Sequence, residues 1–219
     1  MALQVLGKSE VIAALADEIL HNYGEGRVII AVDGPDGAGK TVFADALAAQ
    51  LGIGHRAVFR ASMDDFHRSR AERLARGADS PEGFYRDSFD YPTFRRVLTD
   101  PFRTGWIGSF NLAAFDVERD LPFEPTWSSG PADAMLVVDG LFLNRPELRG
   151  IWNFSVWLDV APEVAAARIA ARDIPESNPK RYADGHNLYL AEAKPREAAS
   201  AIIDNSDFEH PRRIFADSC

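Results

Sequence analysis

The chain has 219 residues, a length that suits a single α/β domain with a large core. Its 33 acidic and 24 basic residues give a formal net charge of -9, which disfavours a surface for nucleic acid or an anionic membrane. The single cysteine, Cys219, excludes an intramolecular disulfide and a cysteine-based zinc site. Neither a secretory signal nor a membrane-spanning segment is predicted. We therefore expect a soluble, cytoplasmic protein whose partner is a small molecule, and the sequence leaves open whether it forms a homo-oligomer.

The predicted elements begin with an amphipathic helix that has Ser9 as its N-cap and stops at Gly24. Short apolar, β-branched runs then predict buried strands at Arg27 to Val32, Ala57 to Ala61, Ala134 to Val138, Phe154 to Leu158 and Ser200 to Ile203. Helical patterns lie between them at Thr41 to Leu51 and Pro162 to Arg172. The alternation predicts a doubly wound α/β fold, with a mainly parallel five-stranded sheet, flanking helices and a small lid.

Two irregular regions interrupt this alternation within what we expect to be one domain, 1–219. Residues 77–131 are rich in proline, glycine and aromatic residues, with short periodic pieces such as Thr93 to Leu98, and they predict a substrate-binding insertion. Residues 174–195 are irregular and polar and directly follow a predicted helix, so they are a candidate lid.

The strongest motif is Gly34 to Thr41, which matches G-x-x-x-x-G-K-[ST] between a predicted strand and a predicted helix. Backbone N–H groups of such a loop turn inward around phosphate oxygens, and the helix presents its positive N-terminus. A chance glycine-rich turn is the alternative, which the flanking strand and helix disfavour. We predict that Lys40 reaches the β- and γ-phosphates of ATP and that Thr41 holds Mg²⁺. The predicted nucleotide-binding residues of this P-loop are Gly34, Asp36, Gly37, Ala38, Gly39, Lys40 and Thr41.

Carboxylates follow two of the predicted strands at the sheet edge where ligands bind. Asp64 and Asp65 come after the second strand, and Asp64 is our candidate base for an attacking hydroxyl, although either residue could serve or could cap the next helix. Asp139 comes after the third strand, in the position of an acid that holds Mg²⁺ through water. An ordinary turn at Asp139-Gly140 is the alternative.

Arginines near the candidate lid form the last predicted group. Arg168 and Arg172 are four residues apart on one helix face, and Arg181 lies beyond them. Together they could clamp a triphosphate, because the guanidinium group pairs with phosphate oxygens and keeps its charge. For each of them alone, a solvated surface arginine is the alternative.

These residues resemble the uridine kinase-like nucleoside kinases, a family related to phosphoribulokinase and bacterial pantothenate kinase. The resemblance covers most of the chain. Besides the P-loop, four segments are similar to motifs of the family. The segment Ser62-Met63-Asp64-Asp65-Phe66-His67 is similar to the family's S-Q-D-S-F-Y, and Phe89-Asp90-Tyr91-Pro92 is similar to its F-D-H-P. Asp139-Gly140 stands in place of its E-G, and Arg168 to Asp173 is similar to its R-x-x-x-R-D.

The resemblance implies an ATP-dependent kinase with the P-loop NTPase fold. Asp64 would then be the catalytic aspartate, acting with Lys40 and Arg172, and Asp90 would bind ribose hydroxyls. The local sequence around Pro92 also predicts that Asp90 is a helix N-cap, and both roles are compatible. The acceptor would contact Asp64, Phe66, His67, Asp90 and Asp139, while Arg172 and Arg181 would be the lid arginines.

The predicted reaction is transfer of the γ-phosphoryl group of ATP·Mg²⁺ to a hydroxyl of a nucleoside, with uridine or cytidine first. Nicotinamide riboside, pantothenate, glycerate or a sugar are alternative acceptors. A nucleotide-binding switch without an acceptor is a different class that the fold alone does not exclude. The sequence has no N-K-x-D guanine signature, which disfavours that class.

Overall fold

The computed structural model describes residues 6–54, 56–104, 108–171 and 178–214. The strands are β1 (Val28–Asp33), β2 (Val58–Ser62), β3 (Phe110–Asn111), β4 (Phe115–Asp116), β5 (Leu121–Pro122), β6 (Trp127–Ser128), β7 (Met135–Asp139), β8 (Phe154–Asp159), β9 (Ala201–Asp204) and β10 (Arg212–Ile214). The α-helices are α1 (Lys8–Asn22), α2 (Lys40–Leu51), α3 (Arg70–Arg73), α4 (Pro81–Asp87), α5 (Tyr91–Phe94), α6 (Asp100–Thr104), α7 (Pro162–Ala170), α8 (Pro179–Ala193) and α9 (Pro195–Ala198). A π-helix spans Arg95–Thr99, and 3₁₀ turns span Gly52–Gly54, Met63–Phe66 and Pro146–Leu148.

The central sheet has six strands in the order β10-β9-β8-β1-β7-β2. All neighbours are parallel except β10, which pairs antiparallel with β9. The five predicted strands and the mainly parallel α/β fold are therefore confirmed. The sixth strand, β10, was not predicted because its sequence, Arg212-Arg213-Ile214, has no apolar run.

The two faces of the sheet carry separate cores, because successive side chains of a strand point to opposite sides. Val28, Ile30 and Val32 of β1 pack with α1 and α2 on one face. Ile29 and Ala31 of the same strand pack on the other face with the aromatic residues of the 77–131 region. The whole of β1 is buried, so the loop that follows it starts from a rigid central strand.

Helix α1 differs from its predicted boundaries. It begins at Lys8 with Gly7 as N-cap, not with Ser9, and it ends at Asn22 before Gly24. The Glu10 carboxylate accepts the N–H of Gly7 at 2.8 Å, and the N–H of Lys8 donates to the distant carbonyl of Glu209 at 2.8 Å. The start is therefore set by the Glu10 carboxylate and by a tertiary hydrogen bond rather than by the hydroxyl of Ser9.

The prediction that residues 174–195 are irregular is wrong for the part that the structure describes. Residues 174–177 lie outside the described ranges, and α8 forms most of the remainder, with the Asn178 side chain accepting the N–H of Arg181 at 3.0 Å. Helix α8 packs on α4 through Gly185, where a Cβ atom would lie 2.9 Å from the carbonyl oxygen of Pro81. The buried face of α8 consists of Gly185, Tyr189 and Ala193, and a face with two such small residues gives only a weak apolar pattern in the sequence.

The region 77–131 holds short helices, the π-helix and two small antiparallel ribbons, β3 with β6 and β4 with β5. The predicted helical piece Thr93 to Leu98 is divided between α5 and the π-helix. Within the ranges that can be described, none of the helices combines the length and the apolar character needed to cross a membrane.

Replacing the fully buried Ile30 by Ala should lower the free energy of unfolding by about 2–5 kcal/mol, because it removes buried methyl groups and leaves a cavity under α1 and α2. Ile53, which is 68% exposed, provides the control: Ile53→Ala should change that free energy by less than about 0.5 kcal/mol. Urea unfolding followed by circular dichroism measures both variants. Equal losses in the two would contradict the position of Ile30 in the core.

Candidate active site

The P-loop connects β1 to α2, as the motif predicts. Gly37 and Gly39 have φ of +75° and +83°, in the left-handed region that disfavours side chains. A Cβ atom at Gly37 would lie 2.6 Å from the carbonyl oxygen of Ala165, and one at Gly39 would lie 2.4 Å from the ring of Phe208. Glycine is required at both positions for the conformation and for the close packing of α7 and the segment after β9 against the loop.

Lys40 is the first residue of α2, and its Nζ donates to the carbonyl oxygen of Pro35 at 2.9 Å. Burial lowers the pKa of Lys40, and neighbouring carboxylates oppose this shift. In decreasing order of effect these are Asp36, Asp33, Asp64 and Asp139. The ammonium group therefore lies where the phosphate loop, the candidate base and the candidate metal ligand converge.

Thr41 and Asp139 lie together at the carboxyl edge of the sheet. The Thr41 hydroxyl donates to Oδ2 of Asp139 at 2.7 Å, and the carboxylate is almost fully buried. Hydroxyl and carboxylate oxygens suit Mg²⁺, which binds proteins through one or two such groups and takes its other ligands from water and phosphates. The pair therefore fits the predicted metal-binding role.

Arg60 is a site residue that the sequence analysis missed. It lies on β2, and its Nη2 pairs with Oδ1 of Asp139 at 2.9 Å, while its Nε pairs with Asp45 at 2.9 Å. It also donates to the backbone carbonyls of Ala61 and Val137. A single arginine inside an otherwise apolar strand was the available signal. Arg60 orients the carboxylate of Asp139 from the side opposite Thr41.

Asp64 and Asp65 lie in the 3₁₀ turn that follows β2. The Ser62 hydroxyl caps this turn by accepting the N–H of Asp64 at 3.3 Å, so the alternative that one of the two aspartates caps it is wrong. Asp64 is exposed, but the surrounding protein desolvates its carboxyl enough to raise its pKa, with His67 and Lys40 opposing the shift. Desolvation also raises the pKa of Asp65, whose carbonyl accepts the N–H of Ala114 at 2.9 Å.

His67 joins Asp64 to a neighbouring cavity. Its Nδ1 lies 2.7 Å from the carbonyl oxygen of Asp64, and its ring packs on Phe89 with centroids 4.5 Å apart. Burial lowers the pKa of His67, which favours the neutral ring. Phe66 is fully buried against Phe94 and supports the cavity from behind, so it does not line it.

The cavity has a volume of about 330 Å³, within the range of small-molecule sites. Its lining residues come from the predicted insertion and from His67, and they are His67, Asp90, Thr93, Arg96, Val97, Asn111, Ala114, Phe115, Pro122, Phe123, Pro125 and Trp127. Asp90 is also the N-cap of α5, since its Oδ1 accepts the N–H of Thr93 at 3.1 Å. Its second carboxylate oxygen leaves capacity for a ligand, so the cap and the binding role are compatible.

The arginines behave differently from one another. The Arg168 guanidinium donates to the carbonyls of Gly37, Asn205 and Ser206 at 3.2, 3.0 and 2.8 Å and lies 3.5 Å from the ring centroid of Phe208. It therefore holds the P-loop from behind. The Nε of Arg181 donates to the carbonyl of Ser80 at 3.3 Å, which directs that side chain toward α4. Arg172 lies outside the described residues.

Asp33 is a second residue that the sequence analysis missed. It is the last residue of β1, is fully buried, and accepts the N–H of Gly34 at 2.8 Å. The Asn144 side-chain amide donates to it at 2.8 Å, and the Tyr189 hydroxyl of α8 donates to the same carboxylate oxygen. Burial raises the pKa of Asp33, and these hydrogen bonds and Lys40 oppose the shift. An acidic residue directly before the motif was the available signal.

His186 brings α8 close to the same region. Its ring stacks on Trp157, with centroids 6.3 Å apart, and burial lowers its pKa to about 4, with the nearby charge of Lys40 acting in the same direction. In the unfolded chain His186 therefore binds a proton below about pH 6.5, whereas in the folded chain it stays neutral down to about pH 4.

The free energy of unfolding should consequently fall by about 2–3 kcal/mol, as an upper range, when the pH is lowered through this window. His186→Gln should remove that part of the pH dependence, whereas His21→Gln, at an exposed residue of α1, should keep it. Urea unfolding at several values between about pH 7 and about pH 4.5 measures the slope. An unchanged slope in His186→Gln would contradict the burial of a neutral imidazole.

No family model matches the sequence. Over 200 residues, covering 89% of this chain and 85% of the relative, the sequence is 24% identical to a uridine kinase from Geobacillus kaustophilus. Among solved structures, a candidate uridine kinase from Bacillus stearothermophilus is similar with a TM-score of 0.71 at 24% identity, covering 88% of this chain and 97% of that one.

Two further structures extend this comparison. A candidate fructose transport system kinase from Silicibacter sp. has a TM-score of 0.63 at 27% identity, covering 86% of this chain and 94% of that one. A D-glycerate 3-kinase from Cryptococcus neoformans has a TM-score of 0.53 at 13% identity, covering 93% and 91% of the two chains. The expected resemblance and fold are confirmed: the chain is a uridine kinase homologue over most of its length and has the fold of the P-loop kinases.

Proposed function

We propose that the protein is a kinase that transfers the γ-phosphoryl group of ATP, bound with Mg²⁺, to a hydroxyl of a small polyhydroxylated metabolite. The observation that supports this most directly is the position of Asp64. Its charge acts on Lys40 of the phosphate loop, and its carbonyl contacts His67, which lines the cavity. A carboxylate that acts on the lysine of the phosphate loop and belongs to the turn beside the acceptor cavity suits phosphoryl transfer from one to the other.

In the proposed reaction the acceptor hydroxyl lies against Asp64 and gives its proton to that carboxylate. The acceptor oxygen bonds to the γ-phosphorus as the bond to the β,γ-bridging oxygen breaks, which releases ADP. Lys40 and the N–H groups of the P-loop stabilise the charge on the transferred group. Mg²⁺ would neutralise phosphate charge when bound, and Thr41 and Asp139 are the residues that would hold it.

The arginines and the lid complete the proposal. We assign Arg172 to the transferred phosphate, Arg168 to support of the loop that holds the nucleotide, and Arg181 to closure of a lid that includes α8. The 219 residues would act as one domain in the cytoplasm, without a nucleic-acid or membrane partner. The acidic net charge of -9 supports the last point.

Uridine and cytidine are the first acceptors to test, because the sequence similarity is to a uridine kinase. Asp90 would bind vicinal hydroxyls in the cavity. Sugars, glycerate, pantothenate and nicotinamide riboside are the alternatives. Similarity to a candidate fructose transport system kinase at 27% identity supports including sugars.

Asp64→Asn should lower the rate of acceptor-dependent ADP release by about 10²–10⁴-fold, because the amide cannot accept the hydroxyl proton. Asp65→Asn is the matched control, since Asp65 is adjacent and its carboxyl is likewise partly desolvated. The rate of Asp65→Asn should stay within about tenfold of that of the wild-type protein, because Asp64, and not Asp65, is among the carboxylates that raise the pKa of Lys40. A coupled assay for ADP, with and without each acceptor, measures both.

The same assay separates the proposed kinase from a nucleotide switch. If ADP release is independent of every acceptor, the chain hydrolyses or only binds nucleotide, and the proposal fails. If Asp65→Asn loses as much activity as Asp64→Asn, the base is not Asp64 alone.

Acceptors lacking one vicinal hydroxyl should show kcat/KM lower by at least about a hundredfold, because a carboxylate of Asp90 built to accept that hydroxyl is left unpaired. Asp90→Asn preserves the helix cap, since Asn caps as well as Asp, and it should reduce this discrimination. Kinetics of uridine and deoxyuridine with both proteins provide the measurement. Similar kcat/KM values for the two nucleosides in the wild-type protein would rule out this role.

A further inference from the structure

Asn111 is a buried polar residue whose side chain has no partner of its own. It is 6% exposed, lies on β3 and lines the cavity. In the part of the chain that the structure describes, its backbone pairs with Trp127 of β6, but its amide group makes no hydrogen bond. Among the described residues, the fully enclosed polar atoms without a partner belong to Tyr85, Tyr91 and Thr99, so the Asn111 amide opens into the cavity instead of the closed interior. Its donors and its acceptor are therefore available to a group that enters the cavity.

Arg96 lines the same cavity. It lies on the π-helix against which β3 packs, so that Arg96 and Asn111 belong to adjoining parts of the wall. Across the described ranges its guanidinium makes one hydrogen bond, from Nη2 to the Thr93 hydroxyl at 3.3 Å, and no ion pair. This is notable in a chain with 33 acidic residues, and Asp90 on the same wall does not pair with it.

The adjacent Arg95 shows the contrast. Its Nη2 lies 3.8 Å from Asp100, and its Nη1 donates to the carbonyl of Glu147 at 3.5 Å. It does not belong to the cavity lining. Both arginines are exposed, so they do not differ in solvation. They differ in that the guanidinium of Arg95 has an acidic partner and that of Arg96 has none among the described residues.

The cavity wall therefore carries both an acidic group and N–H donors. Asp90 adjoins the 3₁₀ turn Met63–Phe66, since its N–H donates to the carbonyl of Phe66 at 2.8 Å. Arg96 and Asn111 supply N–H donors elsewhere on the wall, and aromatic side chains of Phe115, Phe123 and Trp127 form much of the remainder. A guanidinium and an amide beside aromatic walls form a donor set for carboxylate or phosphate oxygens.

We propose that Arg96 and Asn111 form a subsite for an anionic group, a carboxylate or a phosphate, carried by the acceptor. The inference rests on the proposed kinase function and narrows its acceptor class to hydroxy acids and phosphorylated or carboxylated polyols. The hydroxyl to be phosphorylated lies at Asp64, other hydroxyls lie at Asp90, and the anion lies at Arg96 and Asn111. On a protein of net charge -9, such an acceptor needs a local cationic group to be captured.

The test is calorimetric titration of the full chain, saturated with Mg²⁺ and a non-hydrolysable ATP analogue, with pairs of acceptors that differ mainly in the anionic group. The pairs are glycerol and glycerate, pantothenol and pantothenate, uridine and orotidine, and fructose and fructose 1-phosphate. The first three pairs test a carboxylate, and the fourth tests a phosphate. The anionic member of at least one pair should bind at least about tenfold more tightly than the neutral member.

Substitutions at the two positions test the residues. Arg96→Gln should abolish the preference for the anionic member, and Arg96→Lys should restore part of it because the charge is kept. Asn111→Asp, which has nearly the same shape but presents only acceptors when ionised, should lower anion affinity by at least about tenfold. Arg95→Gln is the matched control and should keep the preference of the wild-type protein.

Equal affinities within every pair, absence of binding by all of them, or equal effects of Arg96→Gln and Arg95→Gln would overturn the subsite. The outcome is separable from that of the proposed function. Preferred binding of an anionic member without ADP release from ATP leaves the subsite standing and refutes the kinase activity on that ligand. ADP release with neutral acceptors alone supports the kinase and overturns the subsite.

Discussion

A carboxylate buried at the end of β1 joins the parts of the chain that build the site. Asp33 receives hydrogen bonds from the P-loop at Gly34, from Asn144 after β7 and from Tyr189 of α8. Removing a donor from a buried carboxylate is costly, by about 1–3 kcal/mol for each unsatisfied group, because no water replaces it. The position of α8 and the conformation of the P-loop are therefore not independent. A movement of α8 away from the sheet would leave Asp33 without the hydrogen bond from Tyr189, so this contact would couple the proposed lid movement to the P-loop.

A second constraint is the concentration of negative charge beside a site for a polyphosphate. Asp33, Asp36, Asp64 and Asp139 all act on Lys40. Arg60 pairs with Asp139 at 2.9 Å, and the hydroxyl of Thr41 contacts the other oxygen of that carboxylate. The carboxylate is thus oriented on both sides before any ligand enters. This arrangement fits a nucleotide that arrives with its own cation, because the four carboxylates would repel bare phosphates.

The sequence predicted those structural features that are formed by contiguous residues. Each buried strand was evident because its apolar run is local, and the P-loop was evident because its motif, strand and helix are consecutive. Helix α8 was not evident, since its buried face consists of Gly185, Tyr189 and Ala193, and two of these three residues are small and give a weak apolar signal. Asp33 was not evident, because an acid at a strand end predicts a turn as readily as a buried network. Asn111 and Arg96 gave no signal, because their proximity follows from the packing of β3 on the π-helix, which no local pattern encodes.

This difference explains why the reaction is better determined than its acceptor. The proposed nucleotide-binding part of the site consists of one contiguous segment, Gly34 to Thr41, and of two strand ends that a parallel sheet must bring to the same edge. The proposed acceptor cavity is lined by His67, which follows the 3₁₀ turn Met63–Phe66, and by residues of α5, the π-helix and the two ribbons, and these elements share no motif. Substitutions there can change the ligand without disturbing the sheet, so a relative at 24% identity supports the proposed transfer chemistry more strongly than it supports any one acceptor. In the proposed subsite, Arg96 and Asn111 decide the acceptor, because both line the cavity and a ligand there would complete their hydrogen bonds.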